Sequence, residues 1–166
     1  MKQIFFDTET FLITHDEAAP KMVCVSWCLR DTDTSTVFTG LLGNADDLRP
    51  FWEALFSADL VVGHNTAYDM AVLLCSYPDR LPQIFDLYDA GKVTDTRLRE
   101  KLLNLSSHGK LDTVELPNGA KKPIKYSLET LARDYLGIDL SEGKNSPDSW
   151  RLNFSMLDGV KAADYP

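Results

Sequence analysis

The sequence predicts an α/β fold with a central mixed sheet, and two observations lead to that prediction. Three short runs of strand-forming residues, at 2–6, 22–29 and 36–39, follow one another with only a loop or a turn between them, which is typical of an antiparallel meander. A helical pattern at 44–57 then separates the third run from a fourth at 60–63. Because a crossover helix returns the chain to the same end of the sheet, we expect the fourth strand to run parallel to the first.

The composition is typical of one globular domain. The chain has 166 residues, of which 44% are apolar and 25% are charged, and a chain of this length can bury a proper core. No apolar run reaches the roughly 20 residues that a membrane span needs, and Asp7 and Glu9 interrupt any signal-peptide core. We therefore expect a single domain over residues 1–166, located in the cytoplasm. The net charge of −8 argues against a broad basic surface for tight duplex binding.

The first strand, Lys2–Phe6, leads into two carboxylates that are spaced two residues apart. Side chains at that spacing on a strand point to one face, so we expect Asp7 and Glu9 to project together. Two neighbouring carboxylates repel each other unless a cation compensates them, and their hard oxygens suit Mg²⁺ or Mn²⁺. We interpret the pair as half of a divalent-metal site. The alternative is a polar strand end that enters a loop.

The second and third strands, 22–29 and 36–39, are predicted to form a hairpin across the Asp- and Thr-rich turn at 30–35. All three cysteines of the chain lie in apolar segments. An odd and sparse set of this kind fits reduced, buried thiols rather than disulfides or a zinc site. The three residues are Cys24, Cys28 and Cys75.

A second acidic motif follows the fourth strand. The segment 44–57 predicts an amphipathic helix with Asn44 as its N-cap, and 60–63 predicts a buried strand. The chain then reads G-H-N-T-A-Y-D, in which Asn65 is a natural N-cap and Asp69 lies about one helical turn further on. Ligands of open α/β sheets gather beyond the carboxyl ends of parallel strands, so we expect these residues to meet the first acidic pair. The alternative is a capped helix with one acidic residue in its first turn.

The second half of the chain predicts a brief strand at 92–95, two helices, a hairpin and an irregular tail. Asp95 is expected to cap the helix 96–105, and Ser127 and Gly137 are expected to begin and end the helix 128–136. The first of these helices should face inward through Leu98, Leu102, Leu103 and Leu105. The tail from 138 to 166 should be anchored by Trp150, Leu152, Phe154, Met156 and Leu157.

The segment 109–125 is predicted to be a protruding polar hairpin around the turn Pro117-Asn118-Gly119. Three lysines follow that turn, and they could contact a nucleic-acid strand. They are Lys121, Lys122 and Lys125.

Taken together, the motifs F-F-D-T-E-T, G-H-N-T-A-Y-D, D-T-R-L and Y-S-L-E-T-L-A-R-D-Y-L-G resemble the DEDD superfamily of 3′–5′ exonucleases. The similarity is greatest to the proofreading domain of phage-type family A DNA polymerases, and it covers nearly the whole chain. The resemblance implies a ribonuclease H-like fold. Its central mixed sheet would have five strands, with the first three antiparallel and two more parallel to the first, and helices would flank it.

The resemblance also implies two-metal hydrolysis of phosphodiester bonds at DNA 3′ ends, with two Mg²⁺ or Mn²⁺ ions. Asp7, Glu9 and Asp69 would be the metal ligands and catalytic residues, with Asp7 bridging both ions. Substrate contacts would come from the backbone of Thr8 and Thr10, from Phe11 and from Asn65. His64 is interpreted as a buried residue that supports the loop rather than as a ligand.

The sequence departs from the family in one respect. The superfamily has a third motif, Y-x-x-x-D or H-x-x-x-x-D on a C-terminal helix, and these 166 residues lack a convincing match. Tyr135 to Asp139 has the spacing, but Gly137 should end the helix inside it. We therefore expect an exonuclease-like domain that is truncated at its C-terminus, holds three of four carboxylates and is weak or inactive alone.

Three interpretations follow. The first is the N-terminal part of a longer DNA polymerase or exonuclease that acts on a single-stranded DNA 3′ end, in the host cytoplasm if the chain is encoded by a phage. The second is a non-catalytic domain that binds single-stranded nucleic acid or serves as a scaffold. The third is an RNA exonuclease of the same superfamily.

Overall fold

A five-stranded mixed sheet forms the centre of the fold. The computed structural model describes residues 1–140 and 153–166. The strands are β1 (Lys2–Thr10), β2 (Met22–Asp31), β3 (Thr36–Gly43), β4 (Leu60–Gly63) and β5 (Val93–Asp95), in the spatial order β3-β2-β1-β4-β5. β2 is antiparallel to both β1 and β3, and β4 is parallel to β1. The predicted meander and the parallel fourth strand are confirmed.

Helices flank this sheet, so the α/β class is confirmed as well. These are α1 (Arg49–Ser57), α2 (Thr66–Ser76) and α3 (Leu81–Asp89). Two further helices follow along the chain, α4 (Thr96–His108) and α5 (Leu128–Leu136). A separate two-stranded sheet pairs β6 (Thr113–Glu115) with β7 (Lys121–Pro123). Short 3₁₀ segments lie at Pro78–Arg80, Phe154–Leu157 and Ala162–Asp164. None of the helices in the described ranges is both long and apolar enough to cross a membrane.

Contacts divide the chain into two compact units. The first comprises Met1–Thr94 and Trp150–Pro166, and the second comprises Asp95–Ser149.

The core of the first unit lies on one face of the sheet. Along β1, burial alternates with the period of two that a strand imposes: Ile4, Phe6 and Thr8 are buried, whereas Phe5 and Asp7 are exposed. α1 and α2 cover the buried face. The ring of Phe51 on α1 lies with its centroid 5.6 Å from that of Phe6. The opposite face of β1 is therefore the one that carries the acidic pair.

The beginning of α1 differs from the prediction. Asn44 is not its N-cap: the helix begins at Arg49, with Leu48 at the cap position and Pro50 in its first turn. Proline suits that place because its fixed φ is helical and the first turn has no use for its missing N–H. The Asn44 amide instead donates to the Met22 carbonyl oxygen at 3.1 Å. The Asn44 Oδ1 atom also accepts the Gly159 N–H at 2.9 Å, so this side chain links the C-terminal segment to the sheet.

In the second unit, the helix ends and the hairpin agree with the prediction, whereas the predicted burial of the side chains does not. The Asp95 side chain accepts from the N–H groups of Arg97 and Leu98, the Ser127 side chain accepts from Thr130 N–H, and Gly137 ends α5 at φ 68°. The hairpin around Gly119 forms as β6 and β7.

The prediction that the α4 leucines face inward is wrong. Leu98, Leu102, Leu103 and Leu105 are 44 to 56% exposed. The elements around them within this unit are short and polar, and Ala132 is the only apolar residue of the unit's described part that is fully buried. A helical apolar stripe predicts which residues share a face, but burial also needs a neighbour to cover that face.

Two smaller expectations also change. Cys24 is buried and Cys28 half-buried, as expected of reduced thiols, but Cys75 is exposed at the end of α2. In the tail, Leu157 is buried as predicted, whereas Met156 is 71% exposed and is not an anchor. Trp150 and Leu152 lie outside the described residues.

Candidate functional site

The two carboxylates of the first motif lie within β1 rather than after it. β1 continues to Thr10, and its antiparallel register places Asp7 opposite Ser26 and Glu9 opposite Cys24. The register shifts between Glu9 and Thr10, which marks an irregularity at the end of the strand. Asp7 is exposed and Glu9 is half-buried. Because residues two apart share a face, both carboxylates lie on the face of the sheet opposite the core, which we call the open face.

The third acidic residue reaches β1 from α2. Asp69 lies in the first turn of this helix and is only 4% exposed. Its Oδ1 accepts the Thr8 backbone N–H at 3.0 Å and the Thr8 hydroxyl at 2.7 Å. Thr8 stands between Asp7 and Glu9 in the sequence. The second motif is thus fixed against the middle residue of the first through the Asp69 carboxylate.

Burial raises the pKa of both aspartates. The pKa of Asp69 rises to about 6, mainly because the carboxylate loses solvent and in part because Asp7 is nearby, while the two Thr8 hydrogen bonds oppose the rise. Asp7 is exposed at the surface, yet the protein around it removes enough solvent to raise its pKa, and the charge of His64 opposes that shift. Two carboxylates with raised pKa values in one place are typical of a site that accepts a cation.

A tight turn between β4 and α2 sets the position of Asp69. A Cβ atom on Gly63 would lie 2.6 Å from Thr66 Oγ1, so any other residue here would force Thr66 to shift. Asn65 occupies the N-cap position but does not cap the helix with its side chain, and its backbone is left-handed at φ 67° and ψ 40°. A capping side chain needs an extended backbone, which is why the predicted cap does not form. Asn65 is exposed, and its conformation is uncommon outside glycine.

The residues assigned to substrate by resemblance fall into two groups. Thr8 uses both its N–H and its hydroxyl on Asp69, so its side chain positions that carboxylate. The Thr10 hydroxyl donates to the Phe11 carbonyl oxygen at 2.7 Å and lies 3.0 Å from the Tyr68 hydroxyl. Because Thr10 has one hydroxyl proton, Tyr68 is the donor in the second bond. Phe11 itself is half-buried. The hydrogen bonds that join Thr10 to the Phe11 carbonyl oxygen and to Tyr68 fix the backbone where the loop after β1 begins.

Sequence reasoning missed three neighbours of this site. Tyr68 stabilises the end of β1, and only its place directly before Asp69 in the second motif could have indicated this. His64 acts on Asp7 through its charge, although it was interpreted only as a loop support. Tyr165 lies beside the buried Cys24 thiol, which faces Glu9 across the strands. Burial, and to a smaller extent the charge of Glu9, raises the pKa of Cys24 to about 11. A contact between the tail and β2 has no local sequence signature.

The donor set fits a hard divalent cation, but it is not a preformed cluster. Carboxylate oxygens are the ligands that Mg²⁺ and Mn²⁺ prefer. Within residues 1–140 and 153–166, however, no three acidic, histidine or cysteine side chains are grouped closely enough to hold a metal ion as they stand. Both bonds from Thr8 end on Oδ1 of Asp69, so a cation would be held through Oδ2.

No family model, curated protein sequence or solved structure matches this chain.

Proposed function

We propose that this chain is a metal-dependent 3′–5′ exonuclease domain of ribonuclease H-like fold, which hydrolyses phosphodiester bonds at single-stranded DNA 3′ ends. One observation carries the proposal: a nearly buried carboxylate from α2, Asp69, is fastened to Thr8, the residue between the two β1 carboxylates. Two of the carboxylates thus stand on a short piece of strand, and the third is hydrogen-bonded to the residue between them. A purely structural cap at the start of a helix would not need to be buried beside another aspartate.

The proposed roles follow from where each group lies. Asp7 and Glu9 face the open side of the sheet, where a phosphate could approach them, and Asp69 supplies an oxygen from the core side. Bound divalent cations would activate a water molecule and offset the negative charge of the departing 3′ oxygen. Thr8 fixes the direction of the Asp69 carboxylate. His64 adds positive charge beside Asp7 and so favours its ionised form.

The terminal nucleotide is proposed to contact the end of β1. A half-exposed aromatic ring can stack on a base of any sequence, and Phe11 is such a ring. Its backbone is held by the hydrogen bonds that join Thr10, Phe11 and Tyr68. Asn65, exposed on the left-handed turn before α2, would complete the binding of the strand end. A site ordered before binding loses less entropy when the substrate arrives.

A non-catalytic domain that binds single strands is the second candidate. The observation that favours it is that the described residues present no ready-made group of three metal-binding side chains. Such a domain would use the same stacking and backbone contacts without cutting. The two candidates differ in what the acidic residues do.

The test follows a 5′-labelled single-stranded oligonucleotide with Mn²⁺ or Mg²⁺. Because the chain is expected to be only weakly active alone, the wild type should shorten it slowly from the 3′ end in a metal-dependent way. Asp7→Asn should reduce that rate by a further 100-fold, roughly, because metal and water positions are both lost. Asp16→Asn is a matched control, since Asp16 is 96% exposed in a loop. An RNA oligonucleotide of the same sequence separates the two nucleic acids.

Hydrolysis that survives Asp7→Asn unchanged would contradict the site assignment. Metal-independent binding with no hydrolysis, equal in the wild type and in Asp7→Asn, would establish the binding domain instead.

A further inference from the structure

The outer edge of the central sheet is the strand β3, which carries exposed apolar side chains. β3 is the terminal strand on its side, paired only with β2 in the described part of the chain. It has no charged residue and no proline between Thr36 and Gly43. Val37, Phe38 and Leu41 are 58, 59 and 47% exposed. Sheets usually protect such an edge with charges, prolines or bulges, because its free backbone groups can pair with another strand.

Hydrogen bonds at the end of β3 show which of its backbone groups point away from β2. Asn44 N–H donates to Val23 oxygen at 2.8 Å, directed inward toward β2. The preceding Gly43 N–H instead points away from β2, to the Asp46 carboxylate at 2.8 Å. In an antiparallel ladder, inward and outward residues alternate. Val37, Thr39 and Leu41 have the same phase as Gly43, so their N–H and C=O groups face the edge.

We propose that a second copy of this chain pairs with β3 in antiparallel orientation, with Thr39 on the two-fold axis. In that register Val37 exchanges two backbone hydrogen bonds with Leu41 of the second copy, and the two Thr39 residues exchange two more. The reciprocal pair of Leu41 and Val37 completes the set. The outward N–H and C=O groups of these three residues are then all hydrogen-bonded to the same three residues of the second copy. A two-fold symmetric interface uses the same surface on both copies in this way.

The side chains fit this register on both faces of the sheet. On the core face, Phe38 lies opposite Gly40 of the second copy. A Cβ atom on Gly40 would lie 2.5 Å from Trp27 Nε1, so the Trp27 ring already occupies the space above this glycine. Phe38 of the second copy would therefore pack beside the Trp27 ring rather than over the glycine, which makes an aromatic pair across the interface. On the open face, Val37 meets Leu41 and Thr39 meets Thr39, so no charge is buried.

The dimer would be weak, and it does not depend on the proposed function. One strand pair buries less than the roughly 1,200–2,000 Å² of a standard stable interface, so we expect association in the micromolar range or weaker. Its two-fold axis is perpendicular to the sheet, which leaves both acidic faces on the same side. With strands about 4.8 Å apart, the two β1 strands would lie about 24 Å from each other.

Amide hydrogen exchange measured by NMR at increasing protein concentration tests the register without any mutation. Val37, Thr39 and Leu41 should gain protection as the concentration rises to several hundred micromolar. Phe38, Gly40 and Leu42 should be protected at every concentration, because their N–H groups already face β2. A chain that stays monomeric throughout, or protection that grows at another surface, would overturn the proposal.

Sedimentation velocity with one charged variant provides a second measurement. Thr39→Lys places two ammonium groups opposite each other at the axis and should weaken the dimer by at least about tenfold. Thr14→Lys adds the same charge in an exposed loop and should dimerise like the wild type. Equal dimerisation of wild type and Thr39→Lys, with fold confirmed by circular dichroism, would contradict the β3 interface.

Discussion

Asp69 is a carboxylate whose charged form is disfavoured by its own burial. Its carboxylate is nearly buried, the hydrogen bonds from Thr8 and from its own backbone N–H offset only part of the loss of solvent, and the nearby Asp7 adds repulsion. A charge held at such a cost is typical of functional sites, where stability is given up for chemistry. We expect a bound cation to offset that cost.

Asp69→Asn should therefore stabilise the metal-free protein at pH 7. Asparagine keeps an acceptor oxygen for both Thr8 donors and removes the charge. Because the pKa is about 6 in the fold and 3.8 ordinarily, the gain is on the order of 2 to 3 kcal/mol. Urea unfolding in the presence of a chelator measures it.

The pH dependence of the same comparison fixes the cause. A raised folded-state pKa means that the fold binds more protons than the unfolded chain between about pH 4 and 6. The wild type should lose stability relative to Asp69→Asn as the pH rises through that window and should differ little from it below pH 4. A difference that is constant with pH would mean that the carboxylate charge is not responsible.

At this scale the sequence predicted what spacing determines and missed what tertiary contact determines. The shared face of Asp7 and Glu9 follows from the period of a strand. The bond between Thr8 and Asp69 depends on how α2 lies across β1, and no local pattern specifies it. The left-handed backbone of Asn65 was missed because asparagine is equally common as a helix cap.

Among the elements, the positions of prolines account for the main misses. α1 begins at Arg49, five residues after the predicted cap Asn44, because Pro50 suits its first turn. α3 was not predicted at all: Pro78 and Pro82 resemble helix breakers, yet each lies in the first turn of a helical segment. Ile84 and Leu87 then bury the face of α3.

The turn between β4 and α2 should tolerate no side chain at Gly63. Gly63→Ala should destabilise the protein by about 1 to 3 kcal/mol, because the new Cβ overlaps Thr66 Oγ1. Adding Thr66→Ala removes the overlapping hydroxyl, so the double variant should be more stable than the two single effects predict. Thermal unfolding of the four proteins measures this coupling. Strict additivity would mean that the close approach does not limit this turn.

The β6–β7 hairpin tests the expected contact with nucleic acid. Lys121, Lys122 and Lys125 are exposed on it. Replacing all three with alanine should weaken binding of single-stranded DNA and reduce the slope of log affinity against log salt by up to about 2, since each phosphate contact on a single strand adds about 0.7. Lys2→Ala, also exposed, is the control. An unchanged salt slope in fluorescence anisotropy would remove the hairpin from the binding surface.

In the molecule as a whole, the two units differ in the apolar core that each has within itself. The first has a continuous apolar core beneath the sheet. The described part of the second has exposed leucines and one buried alanine. Composition and pattern predicted the α/β class and the strand order of the meander, because these follow from local periodicity. They did not predict the exposure of the α4 leucines in the described part of the second unit, because burial depends on which surfaces cover each other.

The central claim is that Asp7, Glu9 and Asp69 hold divalent cations, and Mn²⁺ titration followed by NMR tests it most directly. Paramagnetic broadening should begin at the amides of Thr8 to Thr10 and at the start of α2. It should require several-fold more Mn²⁺ in Asp7→Asn and in Asp69→Asn, and Asp16→Asn should behave like the wild type. Broadening that starts at scattered surface carboxylates, or that is the same in all four proteins, would contradict the claim.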